Sequence, residues 1–345
     1  MQISRRAFLL TAAAAACSRR DLSSPLQRAA QYLWAQQAED GGFHSATYGL
    51  LRSGQSLTPF VLDALLGVSE KVSPANPAGI DRALEFIAKH TNAEGALGMM
   101  DETAADYPNY ATALAVAAAF KARRTGVHLD VEPMVAELLD QQFIETNGWT
   151  AADAVYGAWG MGGQIRRPPE TGHVDLSMTR YVLEALRAAG VPSSDPPITK
   201  ALVYLERSQN SDGGFYFSTA NPEINKAGEA NGGFASYGTS TADGLLALRA
   251  AGVPDQDARI VKAIKWLKNQ HQPDRAPGFD GTARQSWASG LRFYYAYVIS
   301  RTRLGLPVTL PRQAADGSFR NSNNMVKEDD PLIATTFAFH VLANQ

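Results

Sequence analysis

The sequence predicts an all-α protein: an α/α toroid of about six helical-hairpin repeats in which the sixth outer helix is truncated. Three features point there. An apolar phrase at helical spacing recurs five times, each copy ends at a glycine-bearing turn followed by a large apolar residue, and a second, more apolar helix follows each turn.

The phrase first falls on Leu26, Ala29, Ala30, Leu33 and Trp34. It returns at Ile80, Ala83, Leu84, Ile87 and Ala88, and at Val131, Met134, Val135, Leu138 and Leu139. The last two copies are Ile198, Ala201, Leu202, Leu205 and Ile260, Ala263, Ile264, Leu267. A single apolar stripe with a 3.6-residue period marks an amphipathic helix laid on another element. The turns are Asp40-Gly41-Gly42-Phe43, Glu94-Gly95-Ala96-Leu97, Asn147-Gly148-Trp149, Asp212-Gly213-Gly214-Phe215 and Pro277-Gly278-Phe279. Glycine supplies the positive φ that a helix end needs, and the large residue plugs the turn back into the core.

The intervening helices are expected near 58–68, 110–122, 175–191, 239–253, 285–304 and 332–342, and two of them end in the same octapeptide, ALRAAGVP, at 185–192 and 247–254. Amphipathic helices covering more apolar ones imply two concentric layers. Before Asp316-Gly317-Ser318-Phe319 only residues 307–315 are free to form an outer helix; they are too few and too rich in proline.

Of 345 residues, 45% are hydrophobic and 19% charged, which excludes a disordered chain. Lys and Arg number 32 against 34 Asp and Glu, so no basic excess exists to follow a phosphate backbone, and no nucleic-acid partner is expected. The single cysteine, Cys17, excludes a disulfide framework and a Cys-ligated zinc site in the folded body. Residues 1–17 read as an address: Ser4-Arg5-Arg6-Ala7-Phe8-Leu9-Leu10 resembles a twin-arginine export signal. Cys17 directly after Ala14-Ala15-Ala16 resembles a lipoprotein cleavage box, with Ala14 where such boxes usually carry Leu. The expectation is an exported chain lipidated at Cys17, so anchored to a membrane; ordinary signal cleavage with Cys17 incidental is the alternative. Residues 24–345 form the single toroid.

Gln209-Asn210-Ser211-Asp212-Gly213-Gly214-Phe215 is the best copy of a turn that resembles the repeats of squalene–hopene cyclases and of protein prenyltransferase β subunits, the prenyltransferase/squalene oxidase repeat. The resemblance spans roughly residues 24–345, and the chain's length is similar to the single toroid of the prenyltransferase subunit. It implies a central cavity for an apolar, isoprenoid-type molecule, and a partner subunit as in the prenyltransferases.

The segment from Gly162 to Ser177 resembles the prenyltransferase stretch that carries a diphosphate-binding Arg and a zinc-ligating Asp-x-Cys. Asp175 matches the Asp and Arg166 or Arg167 the Arg, but Ser177 stands at the thiolate and Ile333-Ala334 where the zinc His belongs. The ligand set for zinc is therefore missing, and no metal or other cofactor is expected. Laid on the cyclase acid motif Asp-x-Asp-Asp-Thr, Asp175-Leu176-Ser177-Met178-Thr179 matches only at its ends.

Candidate chemistry then rests on a few residues. Asp175 opens an inner helix, as an N-cap or as an acid at the cavity mouth. Asp243 stands one turn inside the fourth inner helix, where an acid is costly unless paired or functional, and is the first candidate for an acid with a raised pKa. Asp106, Asp329 and Asp330 precede inner helices as capping charges or cation holders. Arg166 and Arg167 suit an anionic head group, and Tyr110, Tyr237 and Trp287 suit an aromatic wall. Of six histidines, only His173, two residues before Asp175, stands beside a candidate acid. Two readings follow: a terpenoid cyclase or transferase, and a lipid- or partner-binding envelope protein that has kept the toroid without its chemistry. A polysaccharide-active toroid, with Asp329 and Asp330 as its carboxylate pair, is a third.

Overall fold

The computed structural model describes residues 24–345 apart from 70–71, 73–75, 101–104, 123–128, 231 and 282, so residues 1–17, with Cys17, lie outside the described residues. Along these, twelve α-helices follow one another: α1 (Pro25–Ala35), α2 (Leu57–Leu66), α3 (Pro77–His90), α4 (Pro108–Lys121), α5 (Glu132–Asp140), α6 (Leu176–Ala188), α7 (Pro196–Arg207), α8 (Gly238–Ala250), α9 (Ala258–Gln270), α10 (Ser286–Gly290), α11 (Arg292–Arg301) and α12 (Pro331–Ala343). The strands among the described residues are one short antiparallel pair, Glu229–Ala230 with Gly233–Phe234. None of the described helices is long and apolar enough to cross a membrane.

Helices α2, α4, α6, α8, α11 and α12 form a closed inner ring, each packed on the next and α12 packed on α2. Outside it, α3, α5, α7 and α9 lie on α2, α4, α6 and α8, and α1 lies on α12, so the two ends of the toroid meet. The layers bury differently, as their patterns require. In α8 every residue from Gly238 to Leu248 is buried, whereas α9 buries only Ile260, Ala263, Trp266 and Leu267. This is the expected α/α toroid. Its sixth outer helix is absent: residues 305–314 carry no regular structure and are tied to the segment after α9 by Thr309 N–H to the Pro273 carbonyl at 2.7 Å. The fifth inner helix, expected as one piece over 285–304, is split into α10 and α11 at Leu291 (φ −100, ψ 20).

The repeat turn is a stitch between neighbouring hairpins. The Gln209 amide donates to the carbonyls of Gly213 (3.0 Å) and of Arg259 in the first turn of α9 (2.8 Å). Gln37, Gln142 and Gln313 bridge Gly41 to Gly79, Gly157 to Pro197 and Gly317 to Pro25 in the same way. An inner-helix threonine holds five of the plugs: the N–H groups of Phe43, Leu97, Trp159, Phe215 and Phe319 donate to Thr58, Thr112, Thr179, Thr241 and Thr335 at 2.8–3.2 Å. Glycine is required at the turn because the next outer helix lies on it. A Cβ at Gly41 (φ +89) would stand 2.3 Å from the Arg82 carbonyl oxygen, and one at Gly317 (φ +92) 2.4 Å from that of Arg28, where the ring closes. The third plug corrects the sequence reading: it is Trp159 after Gly157, not Trp149. An irregular excursion between Gln142 and Gly157 carries Trp149, whose ring packs on Phe143 at 5.2 Å.

Candidate binding cavity

A cavity of about 300 Å³ opens at the N-terminal ends of α2, α4, α6 and α12. Its apolar wall includes Leu57, Phe60, Tyr110, Met178, Ile333 and Phe337. The rings interlock: Phe60 meets Phe337 at 5.0 Å and Tyr110 at 6.2 Å, while Tyr110 meets Tyr181 edge-on at 4.6 Å. Polar groups gather among the lining residues supplied by loops and helix starts: His173, Asp175, Ser177, Lys226 and Lys327. Few polar groups on an apolar wall is the usual constitution of a small-molecule site.

Asp175 serves two purposes. Its Oδ1 caps α6 by accepting the Met178 N–H at 2.7 Å, and its Oδ2 lies 2.9 Å from His173 Nε2, both residues facing the cavity. Ser177 faces the cavity too, but its hydroxyl is 2.5 Å from the Tyr294 hydroxyl. Ile333 also lines the cavity, on the α12 face where the resemblance calls for a histidine. With Ser177 engaged and Ile333 apolar, these residues do not fit a zinc ion.

Beneath the cavity an ion network crosses the ring. Tyr294 O–H donates to Asp243 (2.9 and 3.1 Å), and Arg180 Nε donates to Asp243 Oδ1 at 2.7 Å. Arg180 Nη1 donates to Glu184 at 2.8 Å, and Arg301 reaches the same carboxylate at 3.0 Å. Arg180 and Asp243 are each 0% exposed. Burial pushes the Asp243 carboxyl up to about 6, the Arg180 guanidinium beside it pulling the other way. Asp243 is therefore chiefly a carboxylate at neutral pH, paired and shielded from the cavity. Beyond the network a second cavity of about 680 Å³ opens at the opposite ends of the inner helices. Its Lys121, Arg249 and Arg301 are already committed to Asp63 (2.6 Å), Asp255 (2.9 Å) and Glu184 (3.0 Å).

Of the residues singled out from sequence, Asp175 and Tyr110 line the first cavity. Trp287 stands at its edge, 5.7 Å from Lys226 Nζ. Tyr237 is fully buried against Phe279 at 5.2 Å, at the start of α8, and is not among the residues that line this cavity. Arg166 and Arg167 are exposed; Arg166 lies 3.9 Å from Glu170 and lines a small side cleft behind His173. Asp330 caps α12 and accepts the Ser45 hydroxyl at 2.5 Å, and Asp329 accepts the Tyr48 hydroxyl. Asp106 is buried and accepts from Ser53 and Ser56 at the start of α2.

The cations that do reach the cavity were not singled out from sequence. Lys226 stands 3.7 Å over the Phe217 ring, and burial lowers its ammonium to about 8 against the pull of Asp175 and Asp243. Lys327 donates to the Tyr107 hydroxyl at 3.1 Å. Both come from irregular segments, where periodicity carries no signal.

The fold, an inner ring of apolar helices inside an outer amphipathic layer, is the α/α toroid read from the repeats. Comparison with known proteins agrees. The squalene-hopene cyclase C-terminal domain family matches residues 172–303. The structure of the type II terpene cyclase MstE from Scytonema aligns with TM-score 0.54 at 13% identity, covering 93% of this chain and 97% of that one. An MstE variant in complex with geranylgeranyl dihydroxybenzoate aligns with TM-score 0.54 at 14% identity, over 94% and 97% of the two chains. Candida albicans protein geranylgeranyltransferase-I complexed with GGPP aligns with TM-score 0.55 at 12% identity, over 92% and 90%. No curated protein matches the chain by sequence. The family match and the shared fold support the toroid family read from the repeats.

Proposed function

We propose that this chain binds an apolar, isoprenoid-type molecule in the 300 Å³ cavity, with its hydrocarbon on the Phe60, Tyr110, Met178 and Phe337 wall and its polar end toward Lys226, Lys327 and His173. The observation that carries this reading is the continuous aromatic wall with cations at its edge. The geranylgeranyl compounds named with two structural neighbours support the same ligand class. The lock of Asp243 to Arg180 and the missing zinc ligands favour a binding protein over a cyclase or transferase. A proton transfer to a bound ligand would fall to Asp175 with His173, the acid and base that face the cavity.

Calorimetric titration with geraniol tests the reading. Met178→Trp fills the cavity and is expected to weaken binding at least tenfold, about 1.4 kcal/mol. Equal binding by wild type and variant would place the ligand elsewhere and sink it.

The reading extends to export along the twin-arginine route and anchoring through a lipidated Cys17. Cys17→Ser is expected to move the protein from the membrane fraction to the soluble fraction, and an unchanged distribution would argue against the anchor.

A further inference from the structure

We infer that Lys226 is a covalent capture site, whose amine condenses reversibly with an aldehyde carried by an apolar ligand. The inference rests on the proposed occupancy of the cavity and names the reactive end of its occupant.

Lys226 is held in place by its backbone neighbours rather than by its side chain. Asn225, fully buried, accepts the N–H groups of Phe217 (2.9 Å) and Ser218 (3.0 Å) and donates to the Ser218 carbonyl at 2.8 Å. Arg284 donates to the Asn225 carbonyl at 2.9 Å and to that of Lys226 at 3.4 Å. The loop therefore fixes where the side chain starts. Its Nζ lies over the Phe217 ring and beside Trp287, among the cavity's lining residues.

At its far end this lysine meets aromatic faces, Phe217 and Trp287, and no polar partner among the described residues. Among the described residues its ammonium donates no hydrogen bond and has no carboxylate within 4.0 Å, whereas Lys121 and Lys200 each hold a carboxylate at 2.6 Å and Lys327 holds Tyr107. A lysine needed only for packing extends its head to water or to a partner. Lys226 instead holds its head on the Phe217 ring at the edge of an apolar space, with no carboxylate to fix its charge, the setting in which lysines act as amine nucleophiles. The charged and titratable groups lining the cavity with it are Tyr107, Tyr110, His173, Asp175 and Lys327, with Asp243 behind the wall. Burial, partly offset by the two aspartates, brings the ammonium to about 8. Roughly a tenth of it is free amine at pH 7, far more than of an ordinary lysine.

The step balances without an external reagent. The Nζ lone pair attacks the carbonyl carbon, a proton passes to the oxygen, and the carbinolamine loses water to leave an imine. His173 and Asp175 face the same space and serve as proton donor and acceptor for the departing water. The apolar wall limits the water that would reverse the reaction.

The test treats the purified protein with citronellal, whose carbonyl is not conjugated, and fixes any imine with sodium cyanoborohydride before peptide mass spectrometry. Lys226 is expected to carry at least tenfold more secondary-amine adduct than any other lysine. Excess citronellol, the unreactive alcohol, should suppress that adduct and leave surface labelling alone. Labelling at Lys226 should rise from pH 6 and level off near pH 8, while surface lysines continue to rise. K226R should lose the site adduct. Calorimetry with citronellol alone separates the two claims. If citronellol binds and Lys226 is labelled no more than surface lysines, covalent capture is wrong and the cavity reading stands; if citronellol does not bind, both fall.

Discussion

Arg180→Met is expected to destabilise the folded chain by about 3–5 kcal/mol, the range for removing one partner of a buried ion pair. Methionine is close to arginine in reach, so the loss is electrostatic rather than a large void. Asp243, 0% exposed, would keep only the Tyr294 hydroxyl at 2.9 and 3.1 Å, while Glu184 would retain Arg301 at 3.0 Å. The damage therefore concentrates on one carboxylate. Urea unfolding at pH 7.5 should show the full loss, and it should shrink toward pH 5 as the orphaned Asp243 takes up a proton. The double variant Arg180→Met with Asp243→Leu should recover most of the stability, because replacing both ions with apolar groups removes the desolvation cost as well as the attraction. A loss below about 1 kcal/mol in the single variant would mean that water reaches the network and that it does not seal the ring.

That network also marks the boundary of what the sequence discloses. The layers, the closing of the ring and the missing outer helix follow from spacing within short segments, so periodicity reveals them. Asp175 stood out because it opens an inner helix, and there it both caps α6 and faces the cavity. Asp243 stood out as an acid out of place, but its partner Arg180 lies 63 residues away on the neighbouring inner helix, and nothing local to either residue announces the pair. Arg166 and Arg167 looked like an anion site because they are adjacent in sequence, yet they sit on an exposed loop; Lys226 and Lys327, far apart in sequence, are the cations the fold brings to the cavity. The spacing of Asn147-Gly148-Trp149 predicts a plug at Trp149, but an irregular excursion moves the true turn to Gly157 and Trp159.

Glu328→Ala is expected to cost about 2–4 kcal/mol, since it strands several buried donors at once. The Glu328 carboxylate accepts the N–H groups of Phe293 (2.9 Å) and Tyr294 (2.8 Å) and the Asn321 amide (2.8 Å), so it closes the first turn of α11. Tyr294 in turn bridges Ser177 at the cavity to Asp243 in the network, and the loss of this cap loosens the cavity floor. The pH dependence distinguishes the carboxylate from mere packing. Burial raises Glu328 from 4.5 to about 7 and Asp243 from 3.8 to about 6, so both acids bind protons more tightly folded than unfolded. Their protonation favours the fold: the contribution is complete below about pH 4 and is lost as pH rises toward 7. Carboxylates lowered by partners, such as Glu145 and Asp257, work the other way and only at more acid pH. Stability should accordingly decline from pH 5 to 7 in the wild type. Glu328→Gln, which cannot titrate, should decline less over that interval, leaving only the Asp243 step. Parallel curves for the two proteins between pH 5 and 7.5 would show that Glu328 stays ionised throughout, and that its three donors outweigh the cost of burying its charge.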